Sequence, residues 1–192
     1  KTGKNFQIKA VSAKNRNKLR EIDLSEIAWI DNPLDLAKID DIDIIVEVIG
    51  GSNDPSKTLV EKALQNGKHV VTANKALLAM HGHSLALIAE KSQVALRFEA
   101  AVAGGIPIIK TLTEGLSSNS IQRIAGVMNG TCNYILTTME QTGQDFADVL
   151  SEAQHLGYAE AEPSFDVDGI DAAHKLAILA SLAFAMPLNF DA

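Results

Sequence analysis

The stretch AEAEPSFDVDGIDAAHKLAILA, residues 159–180, sets Glu160, Glu162, Asp166, Asp168 and Asp171 within twelve residues and follows them with one lysine, Lys175. Asp171 and Lys175 are one helical turn apart and share a face. Beyond Lys175 come Leu176, Ala177, Ile178, Leu179, Ala180 and Leu182. A helix apolar on nearly every side is a buried one. The lysine then sits where its proton can pass to or from a substrate oxygen. Burial would lower its pKa and the neighbouring carboxylates would raise it. The simpler reading is a helix-end ion pair with the lysine reaching for water. The acids of the preceding loop, Glu160, Glu162 and Asp166, suit a substrate ammonium, a metal or plain solvation. Their spacing does not fit an EF-hand calcium loop.

A second constellation is VEVIGG (residues 46–51) followed by VTANKALL (residues 71–78). Ligands of open α/β sheets gather at the carboxyl ends of strands, where both segments end. Gly50 and Gly51 allow close approach of a ligand to the backbone. Lys75 opens a helix there, either as a cation for a phosphate, ribose or substrate oxygen or as an ordinary surface lysine. No G-x-G-x-x-G occurs, so the usual pyrophosphate loop is missing. SAKNRNK, after the first strand, lacks the acidic residue of an NAD-selective site, and Lys14 and Arg16 would suit a 2′-phosphate. Cys132 in NGTCNY is a candidate nucleophile or, more simply, a small buried thiol at a helix start.

The elements that must position these groups follow from pattern. Residues 6–13 alternate as a strand, and residues 42–51 form an apolar run expected to be buried on both faces of a parallel sheet. A helix from Pro55 to Gln65, stopped at Gly67, precedes the strand HVVTA. A second helix starts near Lys75, and VALRFEAAV reads as a further strand. Strand and helix alternating at this spacing predict an incomplete Rossmann-like, doubly wound parallel sheet. Gly104, Gly105 and Pro107 mark a boundary, giving a nucleotide-binding domain over 1–103 and an α+β substrate and dimerisation domain over 104–192. In the second, SIQRIAGVMNG reads as a strand, TCNYILTTMEQTG and DFADVLSEAQHLGYA as helices, and Ile170–Ala185 as the last helix with Asp168 as its cap.

The totals are those of a globular protein: 192 residues, 46% apolar, 21% charged, net charge −7. The acidic balance argues against a nucleic-acid partner. One cysteine permits no intrachain disulfide, which suits a cytoplasmic setting. No apolar run reaches the roughly 18 residues of a membrane span, and the opening KTGKNFQIKAV lacks the apolar stretch expected of a signal peptide.

GVMNGTCNYILTTM and GYAEAEPSFDVDGIDAAHK together resemble homoserine dehydrogenase. Ala153, Gly157, Tyr158, Pro163, Asp166, Gly169, Asp171 and Lys175 fall at the family's spacing, and VTANK and EAAVAGGIPII fall in its order. Glu162 stands where the family usually has a short Asp or Asn. The family also begins with a strand and glycine-rich loop before the equivalent of Phe6, and continues past Ala192. The resemblance is therefore to an internal stretch, expected to bind NADP poorly by itself.

The resemblance implies reversible conversion of L-aspartate 4-semialdehyde to L-homoserine with NAD(P)H, on the route to threonine and methionine. It implies Lys175 as proton donor to the aldehyde oxygen, Lys75 as a contact to cofactor and substrate with a supporting catalytic role, and Glu160 at the substrate's amino end with Asp166 and Asp171 nearby. Gly51 and Ser52 would flank the nicotinamide. A sodium-like cation would sit on Glu99, Val102, Gly104 and Ile106, largely on backbone oxygens, and two subunits would pair through a sheet as a homodimer. The rivals are an acylating semialdehyde dehydrogenase using Cys132 through a thioester, and a non-catalytic dimerisation module.

Overall fold

The computed structural model describes residues 3–188 and 190, in two compact units, 1–108 and 109–192. In the first unit β1 (Ala10–Val11) pairs in parallel with β2 (Ala28–Trp29). A 3-10 turn over Pro33–Lys38 follows, with Asn32 accepting from the Leu34 amide at its start. Then come β3 (Ile44–Glu47), α1 (Ser56–Gln65), β4 (His69–Thr72), α2 (Lys75–Lys91) and β5 (Leu96–Arg97). The sheet order is β3-β4-β5, all parallel, with Glu47 level with Thr72.

The core of this unit joins Ile45 and Val70 of the sheet to Leu59, Val60, Ala63 and Leu64 of α1 and to Leu77, Leu85 and Ala89 of α2. Full burial of each of the larger side chains contributes about 1.5–3 kcal/mol. Two long-range polar ties fix the helix layer to the loop before β3. Asn66, just past α1, donates to the Ala37 carbonyl at 2.8 Å. The buried Lys68 ammonium donates to the Ile39 and Ile42 carbonyls at 2.6 and 2.8 Å. Asn74 starts α2 by accepting the Leu77 amide at 3.0 Å, as an N-cap should.

The apolar run over 42–51 is buried on one face instead of two. Ile45 and Glu47 face the helices, whereas Val46 and Val48 are 65% and 73% exposed. Ile45 joins the core cluster with residues of α1 and α2, and among the described residues Val46 and Val48 do not. Two further expectations are corrected. The first strand is two residues long, because its ladder with β2 pairs only Ala10 with Ala28 and Val11 with Trp29. In VALRFEAAV the strand ends at Arg97 and Glu99–Val102 coil into a short helix, α3.

The segment Ile108–Lys110 (α4), continued by a π turn over Thr111–Gly115, leads into the second unit. There follow α5 (Gly130–Thr142), α6 (Phe146–His155), α7 (Ser164–Val167) and α8 (Ile170–Phe184). Asn129 caps α5 and Asp145 caps α6, each accepting the amide three residues on, from Cys132 and Asp148. Ile135, Val149, Ala153 and Ala159 form the shared core of α5 and α6, with the Tyr134 and Tyr158 rings in tilted contact at 4.7 Å between centroids.

SIQRIAGVMNG is not a strand here: no described residue of the second unit pairs with it, and Val127 is exposed. A strand exists only through its ladder partner. Asp168 does not cap α8 either. Gly169, at φ +79°, occupies that position, and Asp168 closes α7. A left-handed residue between two abutting helices suits glycine and leaves no side chain to cap with.

Candidate functional site

In the second unit the capping residue Asn129 does more than start α5. Its side-chain amide donates to Asp166 Oδ1 at 2.8 Å and to Asp171 Oδ2 at 2.9 Å, while its carbonyl oxygen takes the Cys132 amide. The same Asp171 oxygen accepts from Lys175 Nζ at 2.7 Å, an ion pair within one turn of α8. Lys175 also donates to the Met128 carbonyl at 2.8 Å. Thr131 donates its hydroxyl to the Tyr158 carbonyl at 2.8 Å and lies 3.2 Å from Asp166 Oδ2. Lys175, Asp171, Asn129, Asp166 and Thr131 therefore form one connected polar group. Residues distant in sequence meet because α7 and the start of α8 pack against the start of α5.

An ammonium has three donors. Two of those of Lys175 are held by Asp171 and Met128, which leaves the third for a ligand oxygen. Its side chain is 19% exposed and that of Asp171 6%, so the pair is largely shielded but reachable. Asp171 and Met128 fix the direction of the ammonium, and Asn129 fixes Asp171. Glu160 stands apart: it is exposed, and only its backbone carbonyl is held, by Gln154 at 3.1 Å.

Cys132 donates its thiol to the Asp166 carbonyl at 3.1 Å. Burial, and then the charges of Asp166 and Asp171, push this thiol above its ordinary range. A nucleophilic cysteine needs the opposite shift, toward thiolate at neutral pH.

In the first unit, Gly50 and Gly51 turn the chain after β3 at φ +90° and +77°. The Asn74 amide donates to the Gly51 carbonyl at 2.8 Å and ties this turn to the start of α2, whose first residue is Lys75. Ser56 donates to the Gly50 carbonyl at 3.0 Å. Ser52 and Lys75 are half-buried. Glu99 and Val102 bound α3, with Gly104 and Ile106 exposed in the turn after it. After β1, Arg20 donates to the carbonyls of Asn15, Arg16 and Lys18, and the guanidiniums of Arg16 and Arg20 lie 5.8 and 5.1 Å from the Trp29 ring centre.

The sequence reading singled out Lys175, Asp171 and Asp166, and these three meet. It missed Asn129, Thr131, Glu47 and Asn74. Asn before Gly-Thr was a legible helix-cap signal; its bond to Asp166, 37 positions away, was not.

A parallel α/β unit with a glycine turn at its strand ends has the organisation of a nucleotide-binding fold, and the helical unit that follows it in sequence presents a carboxylate-flanked lysine. Residues 1–99 match the family model for the NAD binding domain of homoserine dehydrogenase, and residues 107–192 match that for homoserine dehydrogenase itself. The chain belongs to the homoserine dehydrogenase family.

Among curated relatives, the homoserine dehydrogenase of Neisseria gonorrhoeae is 50% identical over 99% of this chain and 43% of its own length. That of Pseudomonas aeruginosa is 51% identical over 100% and 43%. The crystal structure of a homoserine dehydrogenase from Thiobacillus denitrificans superposes with a TM-score of 0.82 at 54% identity, covering 86% of this chain and 38% of that one. A hyperthermophilic archaeal homoserine dehydrogenase in complex with NADPH gives 0.76 at 35% identity, covering 84% and 50%. The chain thus spans 43% of the length of these two curated relatives. No helix among the described residues is long and apolar enough to cross a membrane.

Proposed function

We propose that the complete protein interconverts L-homoserine and L-aspartate 4-semialdehyde with NADP or NAD, a step toward threonine and methionine. The observation that carries this reading is the Lys175–Asp171 pair, held by Asn129 and Met128 with one ammonium donor to spare. In the reducing direction Lys175 donates a proton to the aldehyde oxygen as it becomes a hydroxyl. In the oxidising direction it takes that proton back. Asp171 keeps the ammonium aimed and stabilises its charge, and so serves the same step. Asp166 and Glu160 receive the substrate's ammonium group. When bound, the nicotinamide supplies or accepts the hydride.

Gly51, Ser52 and Lys75 are the cofactor's contacts in this reading, and Lys75 also assists the substrate. The positive φ of Gly50 and Gly51, and a turn tied to α2 through Asn74, favour a close backbone approach there. Residues 1–103 are assigned to the nucleotide and 104–192 to the substrate and to pairing of subunits. A sodium-like ion is assigned to backbone oxygens, hard donors suited to it, at Glu99 and Val102, which bound α3, and at Gly104 and Ile106, which follow it. A homodimer in the cytoplasm completes the reading.

The test is homoserine-dependent reduction of NADP by the complete protein, followed by absorbance. Turnover that needs homoserine and nucleotide together supports it. Its absence with folded protein overturns it.

A further inference from the structure

Glu47 ends β3 facing the helices and is 1% exposed. Among the described residues no cation pairs with it. Its carboxylate is held instead by neutral donors. Oε1 accepts the Ile49 amide at 2.7 Å and the Gly50 amide at 3.2 Å, with the Asn74 side-chain amide at 3.4 Å. Oε2 accepts the Thr72 hydroxyl at 2.6 Å. A carboxylate only accepts, so the Thr72 hydroxyl donates to it, while Thr72 Oγ1 itself takes the Asn74 backbone amide at 2.9 Å. Asn74 then closes the circuit, donating to the Gly51 carbonyl at 2.8 Å and accepting the Leu77 amide at 3.0 Å.

A buried carboxylate without a cation is costly to keep, and fold stability alone gives no reason for one. What these bonds do is fix the peptides of the glycine turn and, through Thr72 and Asn74, the first turn of α2. Glycine at φ +90° and +77° has no side chain to hold that conformation. We infer that Glu47 is a positioning residue for the nicotinamide nucleotide: it sets the Gly50–Gly51 turn and the start of α2 in the geometry that receives the cofactor. The inference rests on the assignment of Gly51, Ser52 and Lys75 to the cofactor.

The experiment uses the complete protein and three variants, Glu47→Gln, Glu47→Ala and Thr72→Val. NADPH binding is read by fluorescence titration, which needs no turnover, and steady-state rates give the Michaelis constants for NADP and for homoserine separately. Glu47→Ala orphans two backbone amides of the turn. Its NADPH dissociation constant and NADP Michaelis constant rise at least roughly tenfold, while the homoserine constant stays within about twofold. Glu47→Gln keeps one acceptor for the amides and recovers most of the affinity. Thr72→Val leaves Glu47 in place and gives a smaller loss of the same kind, which keeps the test open if Glu47→Ala does not fold. Unchanged NADPH affinity in folded Glu47→Ala or in Thr72→Val overturns the inference, as does an equal rise in both Michaelis constants. Wild-type protein that binds NADPH without turning over homoserine overturns the proposed reaction and leaves Glu47 testable by titration.

Discussion

Asn129→Asp keeps the cap of α5, because aspartate accepts the Cys132 amide as well as asparagine does. It replaces the amide that now donates to Asp166 at 2.8 Å and to Asp171 at 2.9 Å with a third carboxylate. Two hydrogen bonds become two repulsions. A pair of unit charges 4 Å apart in an effective dielectric of about 20 interacts by about 4 kcal/mol. The half-exposed Asp166 and the Lys175 charge beside Asp171 reduce the repulsion. A net destabilisation of about 3–5 kcal/mol at pH 8 follows, close to that of breaking a buried pair.

The pH dependence identifies the cause. The new carboxyl has a folded pKa above its unfolded value of about 3.9. Below the unfolded value it is protonated in both states and the penalty vanishes. As pH rises through the folded pKa the penalty is fully expressed. Urea midpoints of the complete protein at pH 4.5 and pH 8, with the slope checked for constancy, measure this. Asn129→Ser, which keeps the cap and adds no charge, is the control. An Asn129→Asp midpoint equal to wild type at pH 8, or a deficit independent of pH, would refute the shared polar group.

Cys132→Ala retains turnover within about threefold, since nothing in the proposed proton transfer passes through the thiol. Because burial and the two aspartates hold that thiol neutral, alkylation of the native protein at pH 8 is slower than of the urea-unfolded chain. The same raised pKa means the thiol's contribution to stability is lost as pH climbs through it, so the wild type loses more stability above pH 9 than Cys132→Ala does. Gly50→Ala meets no atom within 4 Å but must adopt φ +90°. It is destabilised by about 1–2 kcal/mol through backbone strain alone, read as a lowered melting temperature.

The helices were legible because their ends carry local chemistry. Asn129 and Asp145 cap from one residue before, and Gly67 and Gly143 follow at φ +74° and +72°. The βαβ order was legible because apolar runs and turn residues alternate at short range. The strand expected over residues 120–130 failed for a nonlocal reason: its pattern suits a strand, but no described residue offers it a ladder. Asp168 failed by one position, because Gly169 and not a side chain bridges α7 and α8. Glu47 reads in sequence as a polar interruption of an apolar strand; only the folded turn reveals the amides that need it. Lys175 and Asp171 could be read because one helical turn separates them. Asn129, which holds Asp171 across 42 positions, could not.

The most direct measurement is the turnover of Lys175→Met in the complete protein with homoserine and NADP, both Michaelis constants determined alongside. The account predicts a kcat lower by about 100-fold or more, because methionine keeps the apolar stem and carries no proton. It predicts an NADP Michaelis constant within about threefold of wild type. A kcat within about twofold of wild type would contradict the assignment of proton transfer to Lys175.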